Sequence, residues 1–233
     1  MSYALAACSG VFCGGGALLN LALHRHSART PDSWINRKVR INNNPDDQQP
    51  VRGFLVTLLG QVLIYPFFFA TAWHTGVARE GGFAGWWWGA SGAPPSVWEN
   101  GFHAWGIGYF VQDAIVHRHE LPAILQLHHV GSSVAIVCAN VSPSWRGLVL
   151  VGGFVLELGS LFVQLADLGL APRALGTAAL RWTSVFGAAI VLHGGYARAP
   201  SDVPGWITAA LLFVVSAVRI SESGGGEAKK RDE

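Results

Sequence analysis

An all-α, multi-pass membrane protein of about seven spans is predicted from three properties of this 233-residue chain. Hydrophobic residues make up 51% of it and charged residues only 13%, whereas about a quarter of a soluble domain is charged. Mean hydropathy is positive. The charges gather into short polar knots between long windows almost free of Asp, Glu, Lys and Arg, the pattern of repeated membrane crossing. The alternation of a transmembrane β-barrel is missing from the sequence, and in lipid the helix is the remaining way to satisfy every backbone group.

Seven windows follow in order: about 3–23, 53–73, 100–117, 121–142, 147–166, 175–197 and 203–220. Each is close to the ~20 helical residues that cross hydrocarbon. The first opens with MSYALAACSGVF, which has no basic n-region and no obvious cleavage site, so it reads as a retained span rather than a signal peptide. Residues 1–52 thus form a span and a basic loop, 53–220 the main membrane domain, and 221–233 a polar, glycine-rich tail, SESGGGEAKKRDE after Ile220, expected to be disordered.

Basic residues orient the chain. Arg25, Arg29, Arg37, Lys38, Arg40 and Arg52 lie in the first loop, and Arg219, Lys229, Lys230 and Arg231 follow the last window. Arg118 and Arg173 fall on the same side, leaving Arg79, Arg146 and Arg198 opposite. The positive-inside rule then makes the first loop and the C-terminus cytosolic and the N-terminus lumenal or external. The tail ends close to a dilysine retrieval signal, which agrees with the endoplasmic reticulum or another endomembrane.

Three features are read as structural. Cys8, Cys13 and Cys138 fall inside apolar windows, where thiols behave as small hydrophobes. Asn140-Val141-Ser142 is a sequon at the membrane edge, followed by Pro143, and is expected to be unused. Trp86, Trp87, Trp88 and Trp98 suit an interfacial aromatic belt.

The chemistry lies deeper. With the fourth span entering from the cytosol near Leu121, His128 and His129 sit roughly 11–12 Å into the bilayer, Asp113 at roughly 6 Å, Glu157 at roughly 15 Å and Arg181 at roughly 9 Å. A charged residue at mid-bilayer costs about 2.5–3.5 kcal/mol on insertion scales, so these groups are expected to face one another or water. Helical spacing gives each span a polar face. Tyr109 and Asp113 lie four apart, Ser132 and Ser133 follow the two histidines at the same interval, and Ser160 and Gln164 line up with Glu157. His128, His129, Glu157 and Asp113 are therefore the candidate catalytic residues, and Tyr109, Ser132, Ser133, Ser160, Gln164 and Arg181 the candidate lipid-binding ones. No metal ligand set is assigned.

The stretches GYFVQDAIVH (Gly108 to His117), ELPAILQLHHVGSS (Glu120 to Ser133) and VLELGSLFVQL (Val155 to Leu165) resemble successive motifs of the TLC domain. That lipid-associated module is shared by ceramide synthases, translocation-associated membrane proteins and a neuronal ceroid lipofuscinosis protein. The resemblance is specific over about 100–165 and extends over roughly 53–220. It implies a barrel-like bundle of about six helices around a lipid-accommodating cavity, with the first span added. Ceramide synthases carry His-Asp-x-x-Asp where this chain reads Leu156, Glu157, Leu158, Gly159 and Ser160, so the chain is similar to the divergent members.

Two functions are therefore open. One is a lipid- or acyl-chain-binding protein of membrane lipid homeostasis, in which the polar cluster grips a headgroup. The other is a ceramide-synthase-like acyltransferase, with acyl-CoA as substrate, in which a histidine is general base or nucleophile and Glu157 or Asp113 orients it. A di-iron site drawing on His117, His119, His128 and His129 ranks last, because its histidines are too few. Neither a cofactor nor a nucleic-acid partner is expected, and whether the chain is an enzyme at all is left open.

Overall fold

A computed structural model of the chain describes residues 3–40, 48–116, 123–197 and 203–228. The fold is mostly helical, with helices α1 (Tyr3–Arg29), α2 (Arg52–Leu59), α3 (Tyr65–Arg79), α4 (Phe83–Trp88), α5 (Val97–Val116), α6 (Ala123–Val141), α7 (Arg146–Asp167), α8 (Arg173–Ala197) and α9 (Val203–Ala228). Among the described residues, five helices are long and apolar enough to cross a membrane: Leu5–Arg29, Arg52–Arg79, Arg146–Asp167, Arg173–Gly194 and Val203–Ile220. Exposed Val62, Leu63, Phe67, Trp182, Phe186 and Phe213 on these helices are the apolar surface that lipid would cover. Helices α5 and α6 stand where the third and fourth windows were expected, and are 20 and 19 residues long.

The span Arg52–Arg79 is one continuous helix joined through a π turn at Gly60–Ile64. Pro66 explains the turn. Its ring has no N–H to donate and crowds the carbonyl four residues back, so the ladder must widen there. The Tyr65 N–H accordingly bonds Gly60 O, five residues back. Gly60 also lets the helix approach Trp105 closely, since a Cβ at that position would stand 2.6 Å from the indole Cζ2.

Neighbour contacts run in a cycle, α3 to α5, α5 to α6, α6 to α9, α9 to α8, α8 to α7 and α7 back to α3, while α1 packs on α5 and α2. Two apolar clusters fill the middle. Phe110, Ile136, Leu148, Val149, Leu156, Leu212 and Val215 form one. Tyr65, Trp86, Phe102, Trp105 and Leu150 form the other.

Four features differ from, or add to, the reading of the sequence. First, the basic loop carries two short strands, β1 (Lys38–Arg40) and β2 (Gln48–Pro50), paired antiparallel. Val39 and Val51 pack there with Phe54 and Leu168, because the short hairpin lies over the turn between α7 and α8. Arg37 donates to Leu168 O at 3.4 Å, and Arg173 holds Asp167 at 3.0 Å. Second, α1 runs on to Arg29, beyond the expected end at 23, and third, α9 runs on to Ala228 through part of the segment expected to be disordered. Fourth, Trp86 is not a belt residue. It is 2% exposed, and its Nε1 donates to Glu99 Oε1 at 3.0 Å, because an interior carboxylate offers the indole N–H a better partner than an interface does.

Cys8, Cys13 and Cys138 are free thiols, and the Asn140 amide, the acceptor of the sequon, is engaged within the bundle, donating to Ile136 O at 2.9 Å.

Candidate functional site

Polar side chains meet where α5, α6, α7 and α9 approach the π turn. The turn rotates Gln61 inward, and its amide Nε2 donates to Glu157 Oε2 at 3.0 Å, with Gln61 4% and Glu157 9% exposed. On α5, one turn apart, Tyr109 takes a hydrogen bond from Thr57 Oγ1 at 3.3 Å, and Asp113 Oδ2 lies 3.6 Å from His129 Nε2. That last separation is within ion-pair reach but long for a direct hydrogen bond. His129 is buried, its ring 5.2 Å from Phe110 in a stacked arrangement and 6.3 Å from Tyr109 edge-on. His128 is half-buried, its ring 5.5 Å from that of His129 and 5.7 Å from Phe110.

The cation of the cluster comes from α9. Arg219 is 7% exposed and donates to Leu156 O at 2.7 Å, to Ser160 Oγ at 3.0 Å and to Ser184 Oγ at 3.2 Å. Gly159 makes room for it, since a Cβ there would stand 2.9 Å from Arg219 Nη2. Arg219 lies within electrostatic reach of both Glu157 and His128, and Tyr109 within reach of Asp113 and Glu157. One connected set of charged and hydrogen-bonding groups therefore links six helices, the continuous Arg52–Arg79 helix and α5 to α9.

Most of the residues expected in such a cluster are here, and one is not. Asp113, His128, His129, Glu157, Tyr109 and Ser160 belong to it. Ser132 is buried on α6, and Ser133 is half-buried with its hydroxyl enclosed. Gln164 lies one turn beyond Ser160 on α7. Arg181 is exposed. The inward stripe of α8 runs through Gly176, Ser184 and Gly187, and Arg181, five residues after Gly176, stands about 140° round the helix from it. Of the two carboxylates expected to orient a histidine, Asp113 is the one that faces His129, while Glu157 takes the Gln61 amide.

Sequence reasoning missed Arg219 and Gln61. Arg219 was counted with the basic tail, yet Thr208, Leu212, Val215, Ser216 and Arg219 recur at intervals of three and four and are all buried. Gln61 carried a weaker signal, a lone amide in an apolar window five residues before a proline. His117, Arg118, His119 and Glu120 lie outside the described residues.

Several buried polar atoms in and beside the cluster have no hydrogen-bond partner among the described residues: Gln61 Oε1, His129 Nδ1, Ser133 Oγ and Gln164 Oε1. Buried polar atoms are rarely left so in folded proteins. The cluster therefore has spare acceptors and donors, an imidazole whose Nδ1 has no partner among the described residues, and a guanidinium beside them.

No family model matches the chain, and no curated protein or solved structure was found that matches it.

Proposed function

We propose that this chain is an integral membrane protein of the TLC-domain kind that binds a lipid or acyl chain and acts in membrane lipid homeostasis. The observation that carries the reading is the buried set of Gln61, His129, Glu157 and Arg219, with half-buried Asp113 beside it, in which Gln61 Oε1 and His129 Nδ1 have no partner among the described residues. Charges inside a membrane are expensive, and a cluster of them marks a substrate pathway or binding site somewhat more often than a network that only fixes packing. Arg219 and the serines suit a headgroup, and the apolar side chains of the middle layer suit the chain behind it.

The cyclic order of helix contacts, with α1 on its side, supports a six-helix barrel-like bundle plus one added span. In this reading α5 and α6 complete seven crossings, the loop before Arg52 and the C-terminus face the cytosol, the N-terminus faces the lumen, and the endoplasmic reticulum is the home membrane.

The second reading, acyl transfer, is favoured by one observation: His129 has Asp113 on its Nε2 side and, among the described residues, no partner on Nδ1. A histidine oriented by a carboxylate with its other nitrogen open is the arrangement of a general base.

Substitutions at His129 separate the two. Glutamine keeps a hydrogen-bonding side chain but cannot take up a proton, so a catalytic His129 loses about 10²-fold or more in lipid turnover with His129→Gln at normal protein level. A headgroup-binding His129 tolerates Gln and fails with Leu. Whole-cell lipid composition and protein level, measured for both variants, are the readout. Tolerance of both Gln and Leu would refute any role of this site in lipid handling.

A further inference from the structure

A second polar layer lies at the opposite end of the same helices. Along α5 from Asp113 to His103, along α6 from His129 to Asn140, and along α7 from Glu157 to Arg146, the helical rise gives about 15–17 Å in each case. The layer is as closed as the first: Glu99 and His103 are 0% exposed and Arg146 is 3% exposed.

Its hydrogen bonds fix which atoms are donors. Asn140 Nδ2 contacts both Ile136 O at 2.9 Å and His103 Nδ1 at 2.7 Å. A main-chain carbonyl only accepts, so the atom facing it is the amide nitrogen, and the second hydrogen of that nitrogen goes to His103 Nδ1. His103 is thereby held as the tautomer with its proton on Nε2, and that N–H has no acceptor among the described residues. Arg146 is in the same condition. Its Nη1 is 3.9 Å from Glu99 Oε2, beyond direct hydrogen bonding, because other donors already occupy the carboxylate. Ser96 N–H reaches Oε2 at 2.6 Å, Trp86 Nε1 reaches Oε1 at 3.0 Å, and Arg79 approaches at 3.4 Å. Arg146 Nε and Nη2 are buried without a partner among the described residues. Those two N–H groups form the side-on fork of a guanidinium, the edge that takes two oxygens of one carboxylate or phosphate.

We infer that Arg146 and His103 form a second binding site, separate from the cluster around Glu157, that takes one oxyanion group, carboxylate or phosphate, through the open fork of Arg146 and the Nε2–H of His103. His103 lies within electrostatic reach of both Arg146 and the Glu99 carboxylate, so the donors of the two residues belong to one layer. The sequence explains why the site is built rather than incidental. Glu99 is committed to α4 and to the Ser96 turn, and Asn140 directs its Nδ2 at the imidazole and at Ile136 O, while its Oδ1 is itself buried and, among the described residues, meets neither the His103 Nε2–H nor the Arg146 fork.

The test is calorimetric titration of the full chain in a neutral maltoside detergent with three probes, inorganic phosphate, decanoate and dodecyl phosphate, against sodium chloride of matched ionic strength. At least one probe binds saturably to the native chain and at least tenfold more weakly to Arg146→Lys, which keeps a charge opposite Glu99 but has no fork. Binding of all three assigns the site to the oxyanion itself. Binding of the two amphiphiles alone assigns it to a lipid headgroup, and binding of phosphate alone to a free anion. Equal binding by native and Arg146→Lys proteins places the anion elsewhere, Arg219 included, and overturns the inference. So does a native chain that binds none of the three, whose interior donors are then met by water. Where Arg146→Lys does not fold, His103→Leu, which removes the Nε2 donor and leaves Arg146 in place, must give the same weakening.

Discussion

Replacing Arg219 with methionine keeps the length of the side chain and removes the charge. Three acceptors lose their donor, yet none is stranded in full. Leu156 O sits in the ladder of α7, the Ser184 hydroxyl still donates to Leu180 O at 2.7 Å, and the Ser160 hydroxyl can turn to the carbonyl four residues back. The larger loss falls on Glu157, buried and left with the Gln61 amide as its donor. Removing one partner of a contacting buried charge pair costs about 3–5 kcal/mol; Arg219 lies within electrostatic reach of Glu157 without an ion-pair contact, and the other acceptors keep alternatives, so Arg219→Met should cost less, about 1–3 kcal/mol. Arg181→Met, on the exposed face of α8, should stay within about 0.5 kcal/mol of native. Adding Glu157→Gln to Arg219→Met should recover at least about 1 kcal/mol, since the second change removes the carboxylate that the first leaves bare. Unfolding in mixed micelles of rising dodecyl sulfate content, followed by tryptophan fluorescence, measures all three. An Arg219→Met protein as stable as native, or a larger loss from Arg181→Met, would refute the placement of the cation.

Three further outcomes are expected. Gly60→Ala puts a methyl group against Trp105, where the nearest indole carbon would be 2.6 Å away, and should destabilise by about 1–3 kcal/mol in the same unfolding assay; a neutral result would mean the π turn is not packed as described. Glu80, outside the spans, is partly buried, which acts to raise its pKa, but the two Ser91 hydrogen bonds and Arg79 outweigh that and hold it below its usual 4.5. The sign follows: the stability difference between native and Glu80→Gln is constant above about pH 4.5 and disappears as pH falls through the lower folded-state value, and a difference that persists to lower pH contradicts it. A tag after Glu233 should be reached from the cytosol and one before Tyr3 should not; labelling of both from one side rules out an odd number of crossings.

Which residues come near one another was easier to read from this chain than the direction each faces. Asp113, His129 and Glu157 fall toward the same end of neighbouring helices because three adjacent windows can be measured from their ends, and that needs only the helical rise. Which face a charge occupies depends on the stripe each helix buries. For α8 the glycine and serine positions Gly176, Ser184 and Gly187 mark it and exclude Arg181. For α9 the buried positions leading to Arg219 were obscured by the basic residues that follow it. Gln61 was hidden for another reason: a π turn shifts the register by one residue, and regular periodicity carries no sign of that beyond Pro66 itself. The second layer went unread because Glu99 and Arg146 stand at window ends, where charges ordinarily belong to water. Only the buried Trp86 and Ser96 contacts show that Glu99 has turned inward.

The central claim is that the layer holding Arg219, Glu157 and His129 receives a lipid. Photo-crosslinking tests it most directly, with the native chain in bilayers containing a lipid whose diazirine is placed close to the headgroup, followed by peptide mapping of the adducts. The account predicts adducts within the parts of α5, α6, α7 and α9 around Tyr109, Ser133, Ser160 and Arg219 that are lost in Arg219→Met while labelling of the outer faces persists. Adducts confined to outward residues such as Phe67, Trp182 and Phe186, unchanged by Arg219→Met, would contradict it.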